Sequence, residues 1–227
     1  TYGVDDRKVL YDLCFGEIKA RTKHTTSSME TLMLFLKSPR AEEVDLILDL
    51  FPVRAAVDEL EHFVSNDTKG EENGARSTLE AVKIRLELVL YLVGLSEFPE
   101  DKELEERLWV CTIGDAAISS QAREDALDSF ISIPRLTKNP PSVEQLFHRS
   151  VDQFLPTMSA DCATLRLVAF LQSKVKEAES AAAPDNIGRI LEDQSWQQLT
   201  RLATTTSSDS VAAAGVSAIS DVLFPQH

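Results

Sequence analysis

The chain is poor in glycine, with 8 in 227 residues. Sheet-rich folds with many tight turns need more, because left-handed turn positions fall to glycine by default. Cysteine is scarcer still. Cys14, Cys111 and Cys162 stand far apart in apolar helical patterns. An odd, irregularly spaced set excludes a secreted disulfide framework, leaves each thiol as a small core residue and points to a reducing compartment, cytoplasmic or nuclear.

Long hydrophobic runs are also missing. The most apolar stretch, residues 77–95, contains Glu80, Lys83, Arg85 and Glu87. Its uncharged part falls short of the ~20 residues that cross a bilayer. Basic charge is in deficit: Lys and Arg number 23 against 37 Asp and Glu, a net charge of −14. Such a chain opposes nucleic-acid phosphates and anionic lipids, so neither nucleic acid nor membrane is an expected partner. The densest basic group, Lys19, Arg21 and Lys23, stands near an expected helix end, where cations complement the helix dipole.

Reactive motifs are absent as well. His24, His62, His148 and His227 lie at no metal-ligand spacing from one another or from a cysteine. No glycine-rich phosphate loop, nucleophile elbow or paired-histidine zinc motif occurs. The surroundings of Cys111, "RLWVCTIGD", carry no nucleophile signature. The acidic pairs Asp5-Asp6, Glu42-Glu43 and Glu105-Glu106 read as helix-start and solvent-face residues. The expectation is therefore no catalytic, cofactor-binding or metal-binding residue, and no enzymatic activity in this segment. The opening "TYGVDDRK", without an initiator Met, suggests a piece of a longer protein.

What is present is helical periodicity. Apolar stripes at 3.6-residue spacing recur: Leu10, Leu13, Cys14 and Ile18; Met29, Leu32, Met33 and Leu36; Val44, Ile47, Leu48 and Phe51; Val53, Val57, Leu60 and Val64. They continue with Leu104, Leu108 and Cys111; Ala126, Leu127, Phe130 and Ile131; and Leu146, Phe147, Val151 and Leu155. The last are Leu165, Val168, Ala169 and Val175; Ile187, Ile190, Leu191 and Leu202; and Val211, Val216, Ile219, Val222 and Leu223. Ser27 with Glu30, Ser77 with Glu80, and Ser142 with Gln145 have capping-box spacing.

Residues 77–95, "STLEAVKIRLELVLYLVGL", alternate in the middle as a strand would. Their length, the Ser77–Glu80 box and Gly94 after the apolar run predict a helix with glycine as its left-handed C-terminal residue. Leu79, Val82, Leu86, Val89, Leu90 and Val93 form one face and Ile84, Leu88, Leu92 and Leu95 a second, with Glu80, Lys83 and Glu87 on the strip between. A helix apolar on two sides must be covered on two sides.

The pattern gives an all-α fold of about eleven helices in one domain over 1–227, with a mobile acidic loop at 65–77. Short loops make sequential helices antiparallel neighbours, and two helices with their loops span about 40 residues, the period of stacked helical hairpins. In this it resembles HEAT/armadillo-like α-solenoids across most of the chain. The stretch 106–141, "ERLWVCTIGDAAISSQAREDALDSFISIPRLTKNPP", is similar to the non-catalytic helical regions of very large ubiquitin-specific proteases. The order Leu-Trp pair, small-residue turn, Ala/Phe helix carries the likeness. That resemblance implies a regulatory or substrate-recruiting scaffold and transfers no site residue.

Two functions fit. One is a non-catalytic scaffold for a protein or peptide partner. Its candidate partner-binding residues are Trp109 and Trp196, which stand beside the apolar stripes, and Glu71 and Glu72 in the acidic loop. The other is a compact helical domain that takes a small hydrophobic ligand between residues such as Phe35, Phe147 and Phe170, or supports a catalytic domain.

Overall fold

The computed structural model describes residues 4–37, 39–67, 75–95, 97–133, 137–181 and 193–224. Among them are eleven α-helices and no strand, in agreement with the all-α expectation. They are α1 (Val4–Lys19), α2 (Thr25–Leu36), α3 (Val44–Leu50), α4 (Val53–Asp67), α5 (Ala75–Val93), α6 (Lys102–Trp109), α7 (Ser120–Ser132), α8 (Pro140–Phe154), α9 (Leu165–Ala181), α10 (Gln194–Thr205) and α11 (Asp209–Leu223). A π-helical segment, Val110–Gly114, follows α6. No helix among the described residues is long and apolar enough to cross a membrane. Contacts divide the chain into two compact units, Thr1–Thr112 with Asp128–Val151 and Ile113–Leu127 with Asp152–His227.

In the first unit α1 packs on α2 and α3, α2 on α5, and α4 on α5 and α6. Helix α5 is thus covered from two sides. Val82, Leu86, Val89, Leu90 and Val93 of its first face and Leu88, Leu92 and Leu95 of its second are all buried, while Glu80 and Lys83 stay exposed. Arg85 is buried too, although the sequence gives no such sign.

The α2 stripe of Met29, Leu32, Met33 and Leu36 is buried as expected. In α1 the face is rotated. Tyr11, Cys14, Phe15 and Ile18 are buried, while Leu13 is 64% exposed. Phe15 stacks on Phe51 at 5.0 Å and the Tyr11 hydroxyl donates to buried Glu43, so the two large rings decide which face turns inward.

Three expected helix starts are corrected. α2 begins at Thr25, α5 at Ala75 and α8 at Pro140, so Ser27, Ser77 and Ser142 lie inside the helices and do not cap them. Of the loop expected at 65–77, residues 65–67 belong to α4 and 75–77 to α5, and 68–74 lie outside the described residues. Glu71 and Glu72 lie outside the described residues.

Gly94 is also corrected, since no described glycine has positive φ. Its role is close approach. A β-carbon there would stand 2.5 Å from Thr137 Cβ and 2.6 Å from its Cγ2.

In the second unit α9, α10 and α11 pack on one another. Val175, Trp196 and Val222 form a cluster with Ile219 against it. Each helix starts on its own chemistry. Asp193 accepts from the amides of Ser195 and Trp196 to open α10, and Ser208 accepts from Val211 to open α11. Gly215 lets α11 approach α10, for a β-carbon there would meet Ala203 Cβ at 2.6 Å. The buried α11 stripe is Val211, Gly215, Ala218 and Val222, which leaves Val216 and Leu223 exposed.

Candidate functional site

Helix α1 ends at Lys19, and the chain must then turn toward α2. The amide of Arg21 donates to Ile18 O at 3.0 Å and that of Thr22 to Glu17 O at 3.4 Å. This crossed pair closes a helix with a left-handed residue, normally glycine, at the turning position. Here the residue is Arg21, with φ of 51°. A side chain in that conformation costs roughly 1 kcal/mol. The guanidinium is held in return, with Nε donating to Glu59 Oε2 on α4 at 3.0 Å.

This turn walls one side of an open cleft of about 160 Å³. Ile18, Phe51 and Ala55 supply its apolar surface, and Lys19, Arg21, Asp58 and Glu59 its charged rim. Ile18 and Phe51 belong to the core, each no more than 1% exposed, so they back the cleft from within and Ala55 is the apolar residue with exposed surface. Both carboxylates of the rim are already engaged. Arg107 Nη2 lies 2.6 Å from Asp58 Oδ1. Glu59 takes Arg21 on one oxygen and Arg85 on the other, at 3.3 Å. Arg85 in turn donates to Ala81 O at 2.9 Å and lies 3.9 Å above the Phe63 ring. Arg107 also pairs with Glu61, and its hydrogen bonds to Glu61 and then Asp58 raise its pKa further above the usual arginine value.

Elsewhere in this unit buried carboxylates again meet arginines from other elements. Glu43 Oε2 accepts from Arg7 at 2.9 Å, from the Tyr11 hydroxyl at 3.1 Å and from the Arg40 amide at 2.9 Å. Glu105 Oε1 accepts Nε and Nη2 of Arg149 at 3.0 and 2.7 Å. Its Oε2 has no hydrogen-bond partner among the described residues. Glu105 borders a narrow crevice with Val53, Val57, Val93, Phe98, Leu104, Leu108 and Leu146, which has no room for water. In the second unit arginine serves carbonyls instead. Arg201 donates to Met158 O at 3.0 Å and Leu155 O at 2.9 Å, and burial lowers its pKa.

Trp109 and Trp196 are 3% and 8% exposed, so both belong to packed interiors and present no surface anchor. Trp196 fills the cluster between α9 and α11. Phe35 lies under Arg7, Phe147 stacks on Phe130 at 5.2 Å, and Phe170 sits below Lys174; the three line neither cleft. All three cysteines are free and buried. Desolvation pushes the Cys111 thiol up to about 12, with the Glu61 charge adding to it, and burial raises Cys14 and Cys162 likewise. Among the described residues no group of three or more His, Cys, Asp or Glu could hold a metal ion.

Sequence reasoning reached Lys19 and Arg21 as a basic group at a helix end but missed the cleft. Its floor comes from Phe51 and Ala55, more than thirty residues further along the chain. Compared with protein families, curated proteins and solved structures, the chain matches none.

Proposed function

We propose that the chain is a non-catalytic protein-interaction scaffold, a segment of an α-solenoid that takes a peptide or protein partner. The packing of α1 on α2, of α4 on α5 and of α2 on α5 supports this, because stacked hairpins make such contacts. The cleft beside Arg21 carries the reading. It is bordered by Lys19, Arg21, Asp58 and Glu59 around Ala55, and its volume of about 160 Å³ compares with the ~150 Å³ of a cavity that holds a benzene. Arg21 stands at φ 51° where glycine would cost less, and such an outlier beside the cleft motivates the reading.

Selection of random displayed peptides on the immobilised chain tests the reading. Enrichment of a shared motif on the wild type, lost on the Arg21→Gly, Lys19→Ala variant, supports a peptide-binding cleft. No enriched motif, or a motif that binds both proteins equally, overturns it.

A further inference from the structure

Gly94 and Gly215 each stand where a neighbouring segment comes within 2.6 Å of the place a β-carbon would take. Gly16, inside α1, differs, for nothing lies within 4 Å of that place among the described residues. A glycine inside a helix weakens it relative to alanine, and here no described contact offsets the loss. Gly16 also shares its face with two exposed apolar side chains. Val9, Leu13 and Gly16 recur at helical spacing, and Val9 and Leu13 are 57% and 64% exposed. The inward face is the opposite one, of Tyr11, Cys14, Phe15 and Ile18.

The charges beside this stripe are sorted by side. At about 3.6 residues per turn, Asp6 and Glu17 flank it on one side and Lys8, Asp12 and Lys19 on the other. Lys8, Asp12 and Lys19 form no ion pair among the described residues. Glu17 accepts the Thr22 hydroxyl, a neutral partner that does not cancel its charge.

We propose that this face binds the same face of a second copy of the chain, with the two α1 helices parallel about a two-fold axis and Gly16 at their closest approach. Val9 and Leu13 then meet their own counterparts, and the absent β-carbons let the two backbones close at Gly16. The sorted charges select the direction. In a parallel pair each flank faces the opposite flank, so Glu17 meets Lys19 and Asp6 meets Lys8 of the other copy, each about 3 Å apart along the axis. Both contacts occur twice. Asp12 lies five residues along the axis from the opposing Glu17 and six from the opposing Asp6. In an antiparallel pair each flank would face itself, with acid against acid.

Sedimentation equilibrium of the whole chain, from micromolar to sub-millimolar concentration, tests this. The wild type should pass reversibly from one chain to two. Gly16→Leu should weaken the dimer about tenfold or more. Gly16→Ala should also weaken it, yet melt about 2 °C higher at a dilution where only monomer is present. The alanine variant carries the test if the leucine variant loses its fold. Lys19→Glu should weaken the dimer several-fold at low salt, and adding Glu17→Lys should recover it, because the exchanged charges meet again.

A single-chain mass at every concentration overturns the proposal. So does a dimer that both Gly16 variants leave intact, for the copies would then meet elsewhere. A dimer indifferent to Lys19→Glu overturns the parallel pairing, as does a double variant that melts like the wild type and fails to recover association.

Discussion

Gly94 and Thr137 touch where no β-carbon fits between them. The missing atom of Gly94 would lie 2.5 Å from Thr137 Cβ, and the neighbouring Asn139 amide donates to Gly94 O at 2.9 Å. The glycine that ends α5 thus seats the segment leading into α8. Gly94→Ala should lower stability by about 1–3 kcal/mol, since the obstacle includes a β-carbon bound to backbone and not only a flexible tip. Thr137→Gly in that background should recover part of the loss. Urea denaturation of the three proteins measures both, and an alanine variant as stable as wild type would show that the approach is looser than this.

The two faces of α5 make a sharper contrast. Leu86 is 1% exposed and Lys83 lies on the polar strip. Leu86→Asp puts a carboxylate where nothing can solvate it, a change expected to exceed about 3 kcal/mol and to unfold the first unit. Lys83→Ala should stay within about 0.5 kcal/mol of wild type. Thermal melts that place the two variants together would refute the assignment of faces.

Arg149 and Glu105 join α8 to α6. Arg149→Ala strands a carboxylate that is 1% exposed, at a cost of about 2–3 kcal/mol. The full penalty of a wholly buried pair is larger, but Arg149 itself keeps 29% exposure. Replacing both, as Arg149→Met with Glu105→Leu, should return most of the loss because neither charge is then left alone. A double variant no better than Arg149→Ala, in equilibrium denaturation, would mean the pair contributes through shape and not charge.

Cys111 ties stability to alkaline pH. Its folded-state pKa of about 12 stands above the ~8.5 of an unfolded thiol, so the native chain holds this proton more tightly. The contribution is complete below about pH 8.5 and is lost as pH rises toward 12. Iodoacetamide at pH 8 should leave all three cysteines of the native chain unmodified and alkylate all three in guanidinium, as intact mass will show. Native alkylation of Cys111 at the denatured rate would contradict its burial.

Which of these features could be read in the sequence depends on how local their causes are. The α2 stripe and both faces of α5 follow from spacing alone, because their apolar residues leave only one way to turn. In α1 and α11 two overlapping stripes compete. The winners contain Tyr11 and Phe15 in one case and Gly215 in the other, chosen by what the neighbouring helices offer. Buried Glu43, Glu59, Glu105 and Arg85 look in sequence like solvent-face charges, and their ion-pair partners stand 26 to 44 residues away. The cleft hid for a related reason: an arginine occupies the turn position where glycine would have announced the end of α1.

The division of the chain has a practical side. The polypeptide passes from one unit to the other at 112/113, 127/128 and 151/152, within the π-helical segment, α7 and α8 respectively. Neither unit is a continuous stretch of sequence, and none of the passages is a linker between elements. A single cut, whether by a protease or by the choice of an expression boundary, therefore cannot separate the two units: a fragment holding all of one also carries a piece of the other. Fragments ending near residue 112 or beginning near 152 would each carry a core with a wall missing.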